Sequence, residues 1–205
     1  MDRRTSIKWV LAAGAAWPLF GRSAARADAT RAAVGYGTDP DLVKVYRPGE
    51  LWPLTLTATQ RVLAGVLADI IIPADDRSPS AASVGAVDFI DEWVSAPYPT
   101  SQRDRPIVLG GLDWLDAEAG RRFGERFAGL DPTQQTGICD DICDESRATA
   151  PRREAARFFA RFRDLTAGGF YSTPVGRADL GYIGNVPLTQ FTGPPPELLE
   201  KLNLP

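Results

Sequence analysis

Histidine is absent from this chain. That removes the commonest general acid/base side chain and the commonest ligand of zinc sites. Cysteine is nearly absent: Cys139 and Cys143 are the only two, too few for a disulfide framework. No C-x-x-C-H haem attachment site occurs. There is no G-x-G-x-x-G fingerprint and no P-loop. The apolar runs fall short of the roughly 20 residues that a membrane span needs. These absences point away from a reaction centre in this chain. They assign it no cofactor and no metal.

Charge is unevenly placed. The chain carries a formal −3. Residues 1–27 hold five basic side chains and one acidic one, so the remainder stands at −7. A chain this acidic is a poor binder of nucleic acid or of anionic membrane surfaces. The basic start, Arg3, Arg4 and Lys8, precedes a short apolar core, Val10 to Phe20. Ala25-Arg26-Ala27 then forms an A-x-A cleavage site. "RRTSIK" resembles the twin-arginine export motif, with Ser6 where an aromatic is usual. The alternative is an ordinary secretory signal. Residues 1–27 are therefore read as a leader, and the mature chain is expected in the periplasm.

Behind the leader, Gly35, Gly37, Pro40, Pro48 and Pro53 interrupt any period over 28–56. This is an irregular arm in which "DLVKVY" (41–46) has the character of a short strand. The alternative is a terminus without fixed structure. A helical domain follows over 57–205. Thr57 and Gln60 make a capping box. Val62, Leu63, Val66, Leu67, Ile70 and Ile71 share one helical face, and Pro73 stops the helix. Residues 73–85 read as a loop. A short helix over 86–94 carries Val87, Ile90 and Val94, with Trp93 beside them. "SAPYPTSQRDRP" breaks the period, so the next helix is expected over about 106–121. Gly110-Gly111 inside it suits a close backbone approach. Residues 123–131 form a linking turn. Asp131 caps a helix running to about Glu145. A further helix starts near Pro151, buries Phe158, Phe159, Phe162 and Leu165, and ends before Gly168-Gly169. From 169 to 205 the period vanishes, apart from a short helix after Pro196. Phe170, Tyr171, Tyr182, Ile183 and Phe191 keep this tail too aromatic for a disordered linker. The fold class is mainly α: a compact domain of about five to six helices, an irregular N-terminal arm, and a long tail rich in Gly, Pro and aromatics.

Three groups of side chains invite a chemical reading. Asp75 and Asp76 could share acid/base work, but nothing nearby in sequence splits their pKa values. A hydrated loop or cap is the plainer reading. Cys139 and Cys143 stand four apart, which an intact helix holds roughly 6 Å apart. A relaxed disulfide wants Cβ atoms about 3.8 Å apart. They are candidates for free buried thiols, or for a bond within the chain or to a partner. Asp140, Asp141, Asp144 and Glu145 precede Arg152, Arg153, Arg157, Arg161 and Arg163. Exposed pairs between them are worth about 0–1 kcal/mol each. They form a solvated face or a docking patch.

Three stretches carry a resemblance: "LADIIIPADDRSPSAASVGAVDFID" (67–91), "FFARFRDLTAGGFYSTPVG" (158–176) and "DLGYIGN" (179–185). In order and spacing, over about 58–190, the chain resembles the gluconate 2-dehydrogenase subunit 3 family. The resemblance implies a small, non-catalytic subunit of an FAD-dependent sugar or polyol dehydrogenase. The FAD and the catalytic histidine would sit in a large partner of the glucose-methanol-choline oxidoreductase type. A c-type cytochrome carrying haem c would take the electrons. Any membrane association would be made through a partner. Such a chain would bind, stabilise and co-export the flavoprotein, and its leader fits that role. Phe170, Tyr171, Tyr182, Ile183 and Asn185 are the candidate partner interface. No catalytic residue is carried over. The alternatives are a free-standing periplasmic scaffold or binding protein, and an enzyme with an unrecognised carboxylate site.

Overall fold

A computed structural model of the chain describes residues 46–182, 184, 187 and 193–203. The described residues contain seven α-helices and no strand. They are α1 (Ala58–Ile71), α2 (Ala86–Ser95), α3 (Pro99–Phe123), α4 (Pro132–Asp140), α5 (Arg153–Tyr171), α6 (Pro174–Asp179) and α7 (Pro196–Lys201). Single 3₁₀ turns at Ala82–Val84, Phe127–Gly129 and Ala150–Arg152 link them. The helical class expected from sequence is the class observed. The strand expected at 41–46 falls outside the described residues, apart from Tyr46.

α1 forms where its signals place it. Thr57 accepts from the backbone N–H of Gln60, and the Gln60 side chain accepts from the backbone of Thr57. Its buried stripe is Leu63, Ala64, Leu67 and Ala68. Val62, expected on that stripe, lies outside it and is exposed. The stripe centres on Leu63 and Leu67 with an alanine beside each, which leaves Val62 at its solvent edge.

α3 corrects the sequence reading. It begins at Pro99, seven residues before the expected start, and runs through Pro106. Pro99 occupies the first turn, where its missing N–H costs nothing. Pro106 lies on the exposed side, while Val108, Leu112 and Leu115 bury the opposite side. Tertiary packing outweighs the local cost of the proline. The neighbouring Arg105 stitches the corner. Its guanidinium donates to the carbonyls of Val94, Ser95 and Ala96 at the end of α2, groups that a helix terminus otherwise leaves unpaired.

α5 also outruns its expected end. It passes through Gly168 and Gly169 to Tyr171, so Gly168 is not a cap. A Cβ on Gly169 would lie 3.1 Å from Phe89 Cδ1 and 3.2 Å from Ala86 Cα. The glycine is there for the approach of α2. Gly111 does the same for α5: its missing Cβ would stand 1.8 Å from Phe158 Cγ. The close approach expected at Gly110-Gly111 is real, but the partner is a ring rather than a backbone. Gly110 has nothing within 4 Å.

α4 stops at Asp140, short of the expected Glu145, and turns follow. Asp131 and Gln134 form its capping box. The linking segment before it is structural: Phe127 is fully buried, its N–H donates to Asp116, and its carbonyl accepts from Gln135. α6, capped by Thr173, lies in a tail expected to be irregular up to Pro196. The core joins Leu63 and Leu67 of α1, Ile90 and Val94 of α2, Leu112 and Leu115 of α3, and Phe158, Phe162 and Phe170 of α5.

Candidate functional site

Asp91 organises the surface from within. It sits on α2, fully buried, in the middle of an apolar face. It accepts from the backbone N–H groups of Thr55 (3.1 Å) and Leu56 (3.0 Å), and from Ser95 Oγ (3.3 Å). The guanidinium of Arg61 closes the set at 2.7 Å and also reaches Asp88. These two carboxylates raise the pKa of Arg61 further above its ordinary value. The buried charge is thus paired and hydrogen-bonded, as a buried charge must be. The result is a latch that ties the arm preceding α1 to α2.

The latch brings Trp52 onto the corner between α2 and α3. Its indole N–H donates to the Glu92 carbonyl (3.3 Å), and its ring meets Tyr98 edge-on at 5.8 Å. The Glu92 carboxylate accepts from the backbone N–H of Gly49. Phe89 and Trp93 stack at 6.1 Å. Together Trp52, Phe89, Glu92, Trp93 and Tyr98 bound a mostly apolar cleft of about 410 Å³. Behind it, Trp93 donates to Asp104 (2.8 Å), and Asp104 pairs with Arg161 at 2.5 Å. The Arg161 guanidinium lies 5.5 Å from the Trp93 ring centroid.

The residues singled out from sequence are dispersed. Phe170 is fully buried in the core, edge-on to Tyr171 at 5.0 Å. Tyr171 is half-buried against the same core. Tyr182 is exposed, and Leu180 and Val175 are exposed near it in sequence. Ile183, Asn185, Arg3, Arg4 and Lys8 lie outside the described residues. The cleft brings none of these together.

Cys139 and Cys143 are both free thiols, on opposite terms. Cys139 is buried, and loss of solvation, aided by Asp140, pushes its pKa up to about 12. Cys143 is exposed beyond the end of α4, and its thiol faces the Asp140 carbonyl at 3.4 Å. The shared helical face assumed from their spacing is gone, because α4 ends between them.

Asp75 closes its own loop. It accepts from the backbone N–H groups of Arg77 and Ser78, both at 2.8 Å, which holds its carboxyl below the usual range. The plainer reading of Asp75 and Asp76, a hydrated loop, suits this geometry. Of the acidic and basic sets around α4 and α5, Asp141 and Arg152 meet at 2.9 Å. Asp141 also binds Arg122 at 2.6 Å, and Arg161 turns to Asp104 instead.

The family model for gluconate 2-dehydrogenase subunit 3 matches residues 58–189, more than half of the chain. The chain belongs to that family. Neither a curated protein nor a solved structure matches it. The subunit 3 match opens on the first residue of α1 and takes in α1 to α6. It leaves out the arm with Trp52. The cleft thus joins seven positions of the matched region to Trp52 from outside it. Among the described residues, no helix is long and apolar enough to cross a membrane.

Sequence reasoning missed Asp91, Trp52 and Tyr98. Asp91 had a signal: an acidic residue beside Ile90 and Val94, in a helix too short to hide it from the core. Trp52 and Tyr98 had none, since the latch that joins them is tertiary.

Proposed function

We propose that this chain is the non-catalytic small subunit of a periplasmic sugar, polyol or glycoside dehydrogenase. It binds, stabilises and co-exports the large subunit, which holds FAD and performs the oxidation. A c-type cytochrome with haem c is the proposed electron acceptor. Family membership over residues 58–189 is the observation that carries this reading. It suggests an accessory role, and the surface supplies the means. Apolar side chains are exposed where a partner can cover them: Val175, Leu180 and Tyr182 around α6, and the aromatic cleft at the α2–α3 corner.

The burial of Phe170 fixes where to test the tail. Cutting at 169 would remove a core ring, so the informative truncation removes 182–205. The shortened chain is expected to keep its helical circular dichroism and to lose most flavoprotein on affinity capture. A folded truncation with full capture contradicts a role for the tail. The second reading is a free-standing periplasmic scaffold or binding protein, and the cleft is what favours it, since apolar clefts of this size commonly take ligands.

A further inference from the structure

The cleft at the α2–α3 corner is lined mainly by electron-rich groups, with Ala96, Thr100 and Ser101 completing it. Trp52, Phe89, Trp93 and Tyr98 present rings, and Glu92 presents a carboxylate. Among the described residues that line it, none is a lysine or an arginine. Aromatic faces carry negative electrostatic potential, and a carboxylate adds a formal negative charge. Glu92 uses Oε1 on the Gly49 N–H. Such a set attracts a cation with an apolar stem. The fold already uses Trp93 in this way, with the Arg161 guanidinium over its ring.

The second large cleft provides the contrast. It spans about 470 Å³ and is lined by Trp114 and Glu118, but also by Arg121 and Arg152. Glu118 is already paired with Arg121 at 2.8 Å and with Arg122 at 2.6 Å. That site supplies its own cations. Among the described residues, no lysine or arginine lines the first.

We propose that the Trp52–Phe89–Glu92–Trp93–Tyr98 cleft is the socket for an arginine side chain presented by the partner protein. The inference rests on the small-subunit reading and names the contact through which the partner docks. Arginine suits it better than lysine, because a planar guanidinium stacks on rings and bridges to a carboxylate. The charge of −7 beyond the leader makes the whole chain complementary to a basic docking loop.

The test has two arms. In the first, the indole N–H resonances of Trp52 and Trp93 are followed while the purified chain is titrated with N-acetyl-arginine amide. N-acetyl-citrulline amide serves as the neutral isostere, and Trp114 as the internal reference. Trp52 and Trp93 should shift saturably with the arginine amide alone. Glu92→Gln keeps an amide oxygen for Gly49 but removes the charge, and should weaken this binding roughly three- to tenfold. In the second arm, the flavoprotein captured by Glu92→Lys should fall about tenfold relative to wild type.

An equal response to the citrulline amide, or none to either, overturns the proposal. So does full flavoprotein capture by a folded Glu92→Lys chain, which leaves the small-subunit reading intact. Shifts that track the chain's own concentration assign the cleft to a second copy and overturn it too. If wild type binds the arginine amide but captures no flavoprotein, the small-subunit reading fails and the partner socket falls with it.

Discussion

At the scale of single residues, two adjacent glycines have opposite jobs. Gly111 faces Phe158 with no room for a methyl group, while Gly110 faces open space. Gly111→Ala should destabilise the fold by about 1–3 kcal/mol, because a packed ring must move. Gly110→Ala should be neutral or stabilising by about 0.5–1 kcal/mol, as expected for glycine in a helix interior. Urea unfolding of the two variants checks both signs. The sequence shows the pair but not which member is in contact, since that depends on how α3 turns toward α5.

Glu118 belongs to the same scale. The Arg121 hydrogen bond, joined by Arg122, outweighs burial and holds its pKa at about 2. A carboxyl whose folded pKa lies below its unfolded one stabilises the fold above the unfolded value. That contribution is lost as pH falls from about 4.5 toward 2. Glu118→Gln should therefore lower thermal stability at neutral pH and flatten the decline in Tm across that acid window. An unchanged acid slope contradicts the pairing.

At the scale of elements, legibility follows whether a signal is local. The ends of α1 were readable because Thr57, Gln60 and Pro73 act within a few residues. The core side of α5 was readable because Phe158, Phe159, Phe162 and Leu165 repeat at helical spacing and are all buried. The start of α3 and the end of α5 were not. Proline and glycine are local stop signals, and here they are overruled by Arg105 at the α2 corner and by Phe89 against Gly169. The candidate site was the least legible part. Trp52 and Tyr98 meet through tertiary contacts of the arm, beside the Asp91 latch.

That latch gives an element-scale prediction. Asp91→Ala would leave the Leu56 N–H without its acceptor, Thr55 with Ser95 Oγ alone and Arg61 with Asp88 alone. Arg61 is one-third exposed and keeps Asp88, so the main cost is the buried N–H left unsatisfied, about 1–3 kcal/mol. Urea denaturation should show a loss of that order. Limited proteolysis should cut before α1 faster than in wild type, and the Trp52 environment should change in fluorescence. A variant with wild-type stability contradicts the latch.

At the scale of the whole molecule, the helical domain and its proposed leader belong to one account. The domain exposes apolar side chains around α6, the proposed partner surface, and the arginines would address a folded complex to the export machinery. Changing Arg3 and Arg4 to Lys should strand both this chain and its flavoprotein in the cytoplasm, as cell fractionation would show. A flavoprotein that still reaches the periplasm contradicts co-export while leaving subunit binding intact.

The central claim is that this chain is an accessory subunit held by a flavoprotein. Affinity capture of the tagged full-length chain from the native periplasm, read by absorbance near the flavin bands, tests it most directly. The account predicts a yellow complex in which a larger second chain carries the flavin. A colourless chain recovered alone, from cells that make the flavin enzyme, contradicts it.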